Sequence, residues 1–288
     1  MTDKIAVVVD SNSGISNELA HKLGIFVVPM PFIIDGEEYF EGVNLDEETF
    51  YSKLVNDASI STSQPSIGMI TTMWDNVLKN YEYIIHIPMS SGLSKTCATC
   101  EMLSHMEEYE GKVYVVDNHR ISKTLEYSVM ETLELIKKGK SAKEIKKFLE
   151  ETAGDCVIYL MVDTLKYLKK GGRVTPAAAL LGALLGIKPV LQIQGDKLDA
   201  FAKCRTVKSA KKTMINQIME DIERRFNNEE VEIVFAESFS NGEIIKLQQE
   251  ASLELNNVQE DIGRLSFSIA CHTGPGVIGI GCCKKHNI

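Results

Sequence analysis

The chain has 288 residues, enough for one large domain or two ordinary ones, and its 44% hydrophobic and 25% charged residues fit a soluble globular protein with a full core. A net charge of −9 and a pI near 5.3 argue against a nucleic-acid partner, which needs a basic face, although Lys166, Lys169, Lys170 and Arg173 form a local basic patch. No basic segment followed by a signal-length apolar stretch stands at the N-terminus and no apolar run is long enough to span a membrane, so no integral membrane segment is expected, and seven irregularly spaced cysteines without a secretory signal read as reduced thiols of a cytoplasmic protein.

Residues 5–9 are a continuous apolar, β-rich run, the pattern of a strand buried on both faces. The run ends in the turn cluster 10–14. A short helix through Leu19 and Leu23 stops at Gly24, and residues 25–29 form a second strand. Residues 32–39 read as a hairpin around Asp35-Gly36, and Asp46 caps a helix to about Val55. Residues 66–78 read as a helix with Ile67, Ile70, Val77 and Leu78 as its apolar positions. A strand over 83–89, a helix over about 94–109 and a strand over 112–116 follow, the last ending at Asp117. Two helices come next, the second opened by a capping box of Ser141 and Glu144. Strand, turn and helix repeated in this way predict an α/β fold with a mostly parallel sheet covered by helices.

Near Gly154 the pattern changes. It predicts two α/β domains, residues 1–154 and 155–288, the second a mixed sheet with helices. A strand over 157–162 and a short helix lead to Gly171-Gly172-Arg173. Residues 176–186, rich in alanine, leucine and glycine, read as a buried helix too short to span a membrane. Residues 187–194 and 197–202 predict a second hairpin around Gln194-Gly195-Asp196. A long amphipathic helix over 207–226 and short strands at 231–235, 258–262 and 277–281 complete the chain.

Two hydroxyl-rich loops dominate the candidate chemistry. One runs Thr62-Ser63-Gln64-Pro65-Ser66 and the other Ser90-Ser91-Gly92-Leu93-Ser94, and both lead into helical patterns. Hydroxyls and backbone N–H groups at helix N-termini favour anions. With no Asp, Glu or His inside either loop, both suit holding a carboxylate or phosphate better than attacking one. Ligands of such sheets bind beyond the C-terminal strand ends, where Asp10, Ser90 to Ser94 and Asp117 fall. His272, Thr273 and Gly274 open a glycine-rich stretch that approaches something closely, with His272 either a donor to an anion or a partner for a backbone carbonyl. Taken singly, each loop is better explained by capping and turn chemistry, and it is the convergence of several loops at one sheet edge that favours a site. Cys97 and Cys100 have redox spacing but read as buried thiols on one helix, and Cys282 and Cys283 as structural. The motifs for nucleotides, for zinc proteases and for the serine-hydrolase elbow are missing, so neither a cofactor nor a metal is expected.

In order along nearly the whole chain, the pieces Val9-Asp10-Ser11, Thr62 to Ser66, Ser90 to Ser94, Val116-Asp117 and Leu168-Lys169-Lys170-Gly171-Gly172-Arg173 resemble the DegV family, the fatty-acid-binding group of bacterial two-domain α/β proteins. Ile187-Lys188-Pro189-Val190-Leu191, Arg205 with Lys208, and His272-Thr273-Gly274-Pro275-Gly276 match as well. The resemblance implies a long-chain fatty acid between the two domains, its carboxylate on Thr62 and Ser94 with His272 nearby. Ser63 joins these as a ligand-binding residue, and Asp10, Ser91, Thr273 and Gly274 as supporting ones. It also implies a non-catalytic carrier that presents the acid to a separate fatty acid kinase, with Arg173 and Arg205 facing that partner and transient contact with a membrane surface. One departure is Lys95, where the family usually has Gly followed by Thr.

Three other readings are open to the residues. Ser94 with His272, oriented by Asp10 or Asp117, describes a small-molecule hydrolase or phosphotransferase. A binder of another anionic lipid differs only in its ligand, and a regulatory protein acting through partners has no specific motif here.

Overall fold

The computed structural model describes residues 4–56, 58–181, 186–193 and 197–288. Strand β1 (Ile5–Asp10) is buried along its whole length. Helix α1 (Asn17–Leu23) begins where Ser16 accepts the Leu19 N–H and stops at Gly24, whose φ of +68° is the left-handed conformation glycine adopts at no cost. Strand β2 (Phe26–Val28) returns parallel to β1. Strands β3 (Pro31–Ile34) and β4 (Glu37–Phe40) form the expected hairpin, with Asp35 and Gly36 both at positive φ. Asp46 caps helix α2 (Glu47–Val55) by accepting the Thr49 N–H at 2.8 Å. Strand β5 (Ile60–Thr62) then pairs antiparallel with β3, so Thr62 ends a strand and does not begin a loop.

Helix α3 (Ile67–Leu78) has the predicted span, but its buried face is Ile70, Trp74 and Val77, while Ile67 is 50% exposed. Ile67 is the first residue of the helix, and the buried positions 70, 74 and 77 recur at the three- and four-residue spacing of one helix face. Strand β6 (Tyr83–Ile87) is followed by helix α4 (Thr96–Ser104), which ends about a turn earlier than predicted. Turns through Met106 and Tyr109 replace it. Carrying the helix on would set Glu107, Glu108 and Glu110 at its negative C-terminal end. Strand β7 (Val113–Val115), helix α5 (Lys123–Lys137) and helix α6 (Ala142–Glu151) follow, α6 opened by the Ser141–Glu144 capping box.

Strand β8 (Cys156–Met161) leads to helix α7 (Lys166–Gly171), closed by left-handed Gly172. Helix α8 (Pro176–Leu181) corrects the expectation of a wholly buried segment: Ala178 is buried, but Leu180 is 76% exposed because the helix packs by one side on the next hairpin. The expected remainder of that segment at 182–185, and the turn Gln194-Gly195-Asp196, lie outside the described residues. Strands β9 (Lys188–Ile193) and β10 (Asp199–Cys204) pair antiparallel. Then come helix α9 (Val207–Arg224), strand β11 (Val231–Ser238), helix α10 (Glu243–Ser252), strand β12 (Val258–Arg264), helix α11 (Phe267–Thr273) and strand β13 (Val277–Lys284).

The strands form three sheets. One is fully parallel in the order β2-β1-β6-β7, one is the small antiparallel β4-β3-β5, and one is mixed, β10-β9-β8-β13-β11-β12, with only β11–β12 parallel. Helices α3 and α4 cover one face of the parallel sheet through Trp74, Cys97 and Cys100 against Val8 and Ile84. Helices α9 and α10 cover the outer face of the mixed sheet through Met214, Ile218 and Leu247 against Tyr159 and Ile280. The two remaining faces share one core, with Val7 and Ile85 on one side, Leu160 and Leu191 on the other, and Leu125 and Val129 of α5 between them. In a fourth cluster, Phe267 of α11 stacks on Phe50 of α2 with ring centroids 4.4 Å apart, beside Phe32 of β3. That packing brings α11 against the strand that ends in Thr62.

Candidate binding cavity

The shared core is not filled. A cavity of about 340 Å³ lies between the mixed sheet, α5 and α11. Leu160, Ile193, Val234, Ala236 and Val277 make an aliphatic wall. On β13 the residues facing this core alternate as Val277, Gly279 and Gly281, while Ile278 and Ile280 turn toward α9. The glycines leave out side chains where the space is needed. The lining reaches from Ile193 on β9 across β8, β13 and β11 to Lys123 beside β12, four strand spacings or about 19 Å.

Polar groups gather at one end. Thr62 Oγ1 and His272 Nε2 are 2.8 Å apart, although 210 positions separate them in the chain. Ser63, Gln64, Ser94, Lys95 and Arg173 line the same region. Gln64 Oε1 accepts the Thr99 hydroxyl at 3.1 Å, which ties the first hydroxyl loop to α4 behind the second. Ser94 Oγ accepts the Thr96 N–H at 3.2 Å and lies 2.8 Å from the Thr96 hydroxyl, closing the turn that starts α4. Burial, reinforced by the nearby Arg173 guanidinium, pulls the His272 pKa down to about 4, so the ring is neutral at pH 7. Its Nδ1 edge lies on Gly171, where a Cβ would sit 2.0 Å away. Only glycine lets the ring take this position.

The expected supporting residues divide. Thr273 lines the cavity and bonds the Ile269 carbonyl at 3.3 Å. Gly274 does not line it but makes the turn after α11, with φ of +79° and Tyr167 packed where a Cβ would be. Asp10 is fully buried below the second hydroxyl loop, where Oδ2 accepts the Met89 N–H at 3.1 Å and Oδ1 lies 3.6 Å from His86 Nε2. Ser91 is exposed, and its N–H donates to Asp117 at 3.3 Å. Asp10, Ser91 and Asp117 therefore shape the loop from behind and do not border the cavity. Arg173, expected to face a partner, lies at the polar end of the cavity. It is half-buried on the cavity wall, donating to the carbonyls of Leu93 at 3.4 Å and Gly171 at 2.5 Å, because left-handed Gly172 turns the chain back. Arg205 is exposed ahead of α9 and does not line the cavity.

Sequence reasoning did not single out Asn12, Lys123, Thr124 or Ser268, all of which line the cavity. Asn12 stood in the turn cluster after β1, but nothing local marked the others. The seven cysteines are free and buried, and burial pushes the Cys97 thiol up to about 12, so this pair behaves as small apolar side chains. Among the described residues no group of His, Cys, Asp and Glu has the arrangement of a metal site, and no helix is long and apolar enough to cross a membrane.

The hydrolase reading requires Ser94 beside a base that a third group orients. Here His272 Nε2 meets Thr62, Ser94 meets Thr96, and both candidate orienting acids, Asp10 and Asp117, are engaged elsewhere. The arrangement suits holding an anion.

The chain is similar to known proteins over nearly its whole length. Residues 4–285 match the family model described as "Uncharacterised protein, DegV family". A DegV domain-containing protein of Staphylococcus aureus (strain N315) is 31% identical over 288 residues, covering 99% of this chain and 100% of the relative. Protein DegV of Bacillus subtilis (strain 168) is 31% identical over 283 residues, covering 98% and 99%. The solved structure of a DegV family protein from Thermus thermophilus, described by its fatty acid binding, superimposes with a TM-score of 0.88 at 28% identity over 98% of this chain and all of that one. Bacillus subtilis DegV, described as a fatty acid binding protein, gives 0.85 at 29% identity over 98% of this chain and all of that one.

Proposed function

The chain belongs to the DegV family, and from that premise we propose that it binds a long-chain fatty acid and presents the carboxylate to a separate fatty acid kinase. One observation carries the binding half of this reading: a long aliphatic cavity ends in hydroxyls and a neutral histidine, with no oriented base. Hydroxyls and a neutral imidazole can hold a carboxylate without consuming it. Each hydrogen bond to the charged group contributes about 1.5–3 kcal/mol. Burial of about fifteen methylenes at about 0.8 kcal/mol each sets a gross ceiling near 12 kcal/mol before ordering costs. The tail therefore dominates affinity, and the polar end sets orientation.

In this reading the carboxylate lies on Thr62, Ser63 and Ser94, with His272 beside it, and Lys95 and Arg173 supply positive charge at the same end. The cavity separates two α/β domains, 1–154 and 155–288, of a cytoplasmic carrier. The kinase half rests on the family resemblance, with Arg173 at the polar end of the cavity and exposed Arg205 as the partner-facing cations. Organic extraction of the purified protein followed by mass spectrometry tests the binding half, with stoichiometric long-chain fatty acid as the expected result. An empty protein that turns over esters or phosphate esters would overturn it. Addition of a fatty acid kinase and ATP tests the presentation half, which fails if the loaded acid is never converted to acyl phosphate.

A further inference from the structure

Lys123 is an unusual wall for an apolar cavity. It is the first residue of α5, only 6% exposed, and it borders the cavity. Its ammonium group sits 2.8 Å from Glu126 and 2.7 Å from Asp261 on β12, and the Asp261 side chain is 69% exposed. Its stem crosses β12 at Gly263, where a Cβ would stand 2.5 Å from Lys123 Cδ and 2.8 Å from Cγ. Gly263 thus leaves a groove in the strand, and the lysine stem fills it. Lysine commonly covers apolar surface with its methylenes while its charge reaches water. Here one side of the residue faces the cavity, and the other ends at a carboxylate on the surface.

This wall is remote from the proposed carboxylate end. Helix α11 starts just past β12, whose Gly263 carries the lysine stem, and it runs to His272 on Gly171 of α7. The six residue steps from Phe267 to Thr273 rise about 9 Å. Resting on the fatty-acid reading of this cavity, we propose that Lys123 is a specificity-determining plug. Its aliphatic stem closes the cavity at the β12 edge and limits the length of acyl chain that fits, and the Glu126–Asp261 clasp holds the stem in place. Without the stem, the groove over Gly263 becomes an exit through which a longer tail reaches the surface.

The test loads the whole protein with an equimolar mixture of saturated fatty acids from fourteen to twenty-two carbons and reads the retained distribution by mass spectrometry. Lys123→Ala is expected to move the retained maximum upward by two or more carbons. Lys123→Met keeps the stem without the charge and is expected to restore the wild-type limit. Asp261→Ala alters only an exposed side chain, and is expected to raise the rate of exchange with labelled acid severalfold. If Lys123→Ala does not fold, Lys123→Val supplies the shortened stem with the same expectation. An unchanged distribution in the shortened variants, or an equal shift in Lys123→Met, overturns the plug while leaving the carrier reading intact. A wild-type protein that takes up none of the mixture overturns both.

Discussion

His272 illustrates how one side chain acquires its role from its surroundings. Its folded pKa of about 4 lies below the ordinary 6.5 because burial penalises the cation and Arg173 repels it. A depressed value means that the contribution of the neutral His272 ring to stability is fully present above about pH 6.5 and is lost as pH falls toward 4. Ring-proton NMR of the unliganded protein is expected to show His272 neutral down to about pH 5, and titration at 6.5 or above contradicts the assignment. The Ser94 hydroxyl acts at the same scale. On the fatty-acid reading, its loss removes one hydrogen bond to the carboxylate, of about 1.5–3 kcal/mol, while the tail contribution stays intact. On the proposed carrier reading, Ser94→Ala is therefore expected to disturb carboxylate placement and transfer to the kinase more than lipid retention. A variant that folds normally but emerges without lipid shows that the head group, and not the tail, governs affinity.

At the scale of elements, the site depends on α7 and α11 approaching closely enough for His272 to lie on Gly171. Any Cβ at 171 would stand 2.0 Å from the ring, so the ring or the helix must move. Gly171→Ala is expected to cost about 1–3 kcal/mol in chemical denaturation, the usual range for overpacking, and to break the Thr62–His272 contact. A crystal structure of the variant with that contact still near 2.8 Å refutes the packing argument. The same approach explains why α11 is held so firmly. Phe267 stacks on Phe50, and Phe32 meets both rings edge-on, which locks the His272 helix to the small sheet that carries Thr62.

Across the whole molecule, charge networks join the halves that enclose the cavity. Arg120 is buried and bonds Glu131 of α5 at 2.8 Å and the Thr152 carbonyl at 2.8 Å. His286, beyond β13, meets Glu131 at 2.7 Å and Asp155 at 2.8 Å, and these bonds raise its pKa, with Glu131 first in effect. A raised value contributes stability that is fully present below about pH 6.5 and is lost as pH rises through the folded pKa. Glu41, pushed up to about 8 by burial, loses stability in the same alkaline direction, so the total profile does not isolate His286. The difference between wild type and His286→Ala does. Melting temperatures are expected to differ most below about pH 6.5 and to converge as pH rises through the folded His286 pKa, and parallel curves would falsify this contribution of His286.

Most of the fold was legible from the chain because its signals are local. The hairpin at Asp35-Gly36, the caps at Asp46 and Ser141, the stop at Gly24 and the amphipathic α9 each depend on neighbours a few positions away. The hydroxyl loops and His272 were also readable as parts, by residue type and by order along the chain. What the sequence by itself determined was therefore the identity of the elements and the anion-friendly character of their loops. Tertiary structure alone decided the rest. Strand β5 exists through its pairing with β3, and Thr62 meets His272 across 210 positions. Arg173 borders the cavity, and so does Lys123, whose stem lies over Gly263 on a distant strand. Local signals report what a backbone segment prefers, whereas a cavity is made by side chains left out where two distant surfaces meet.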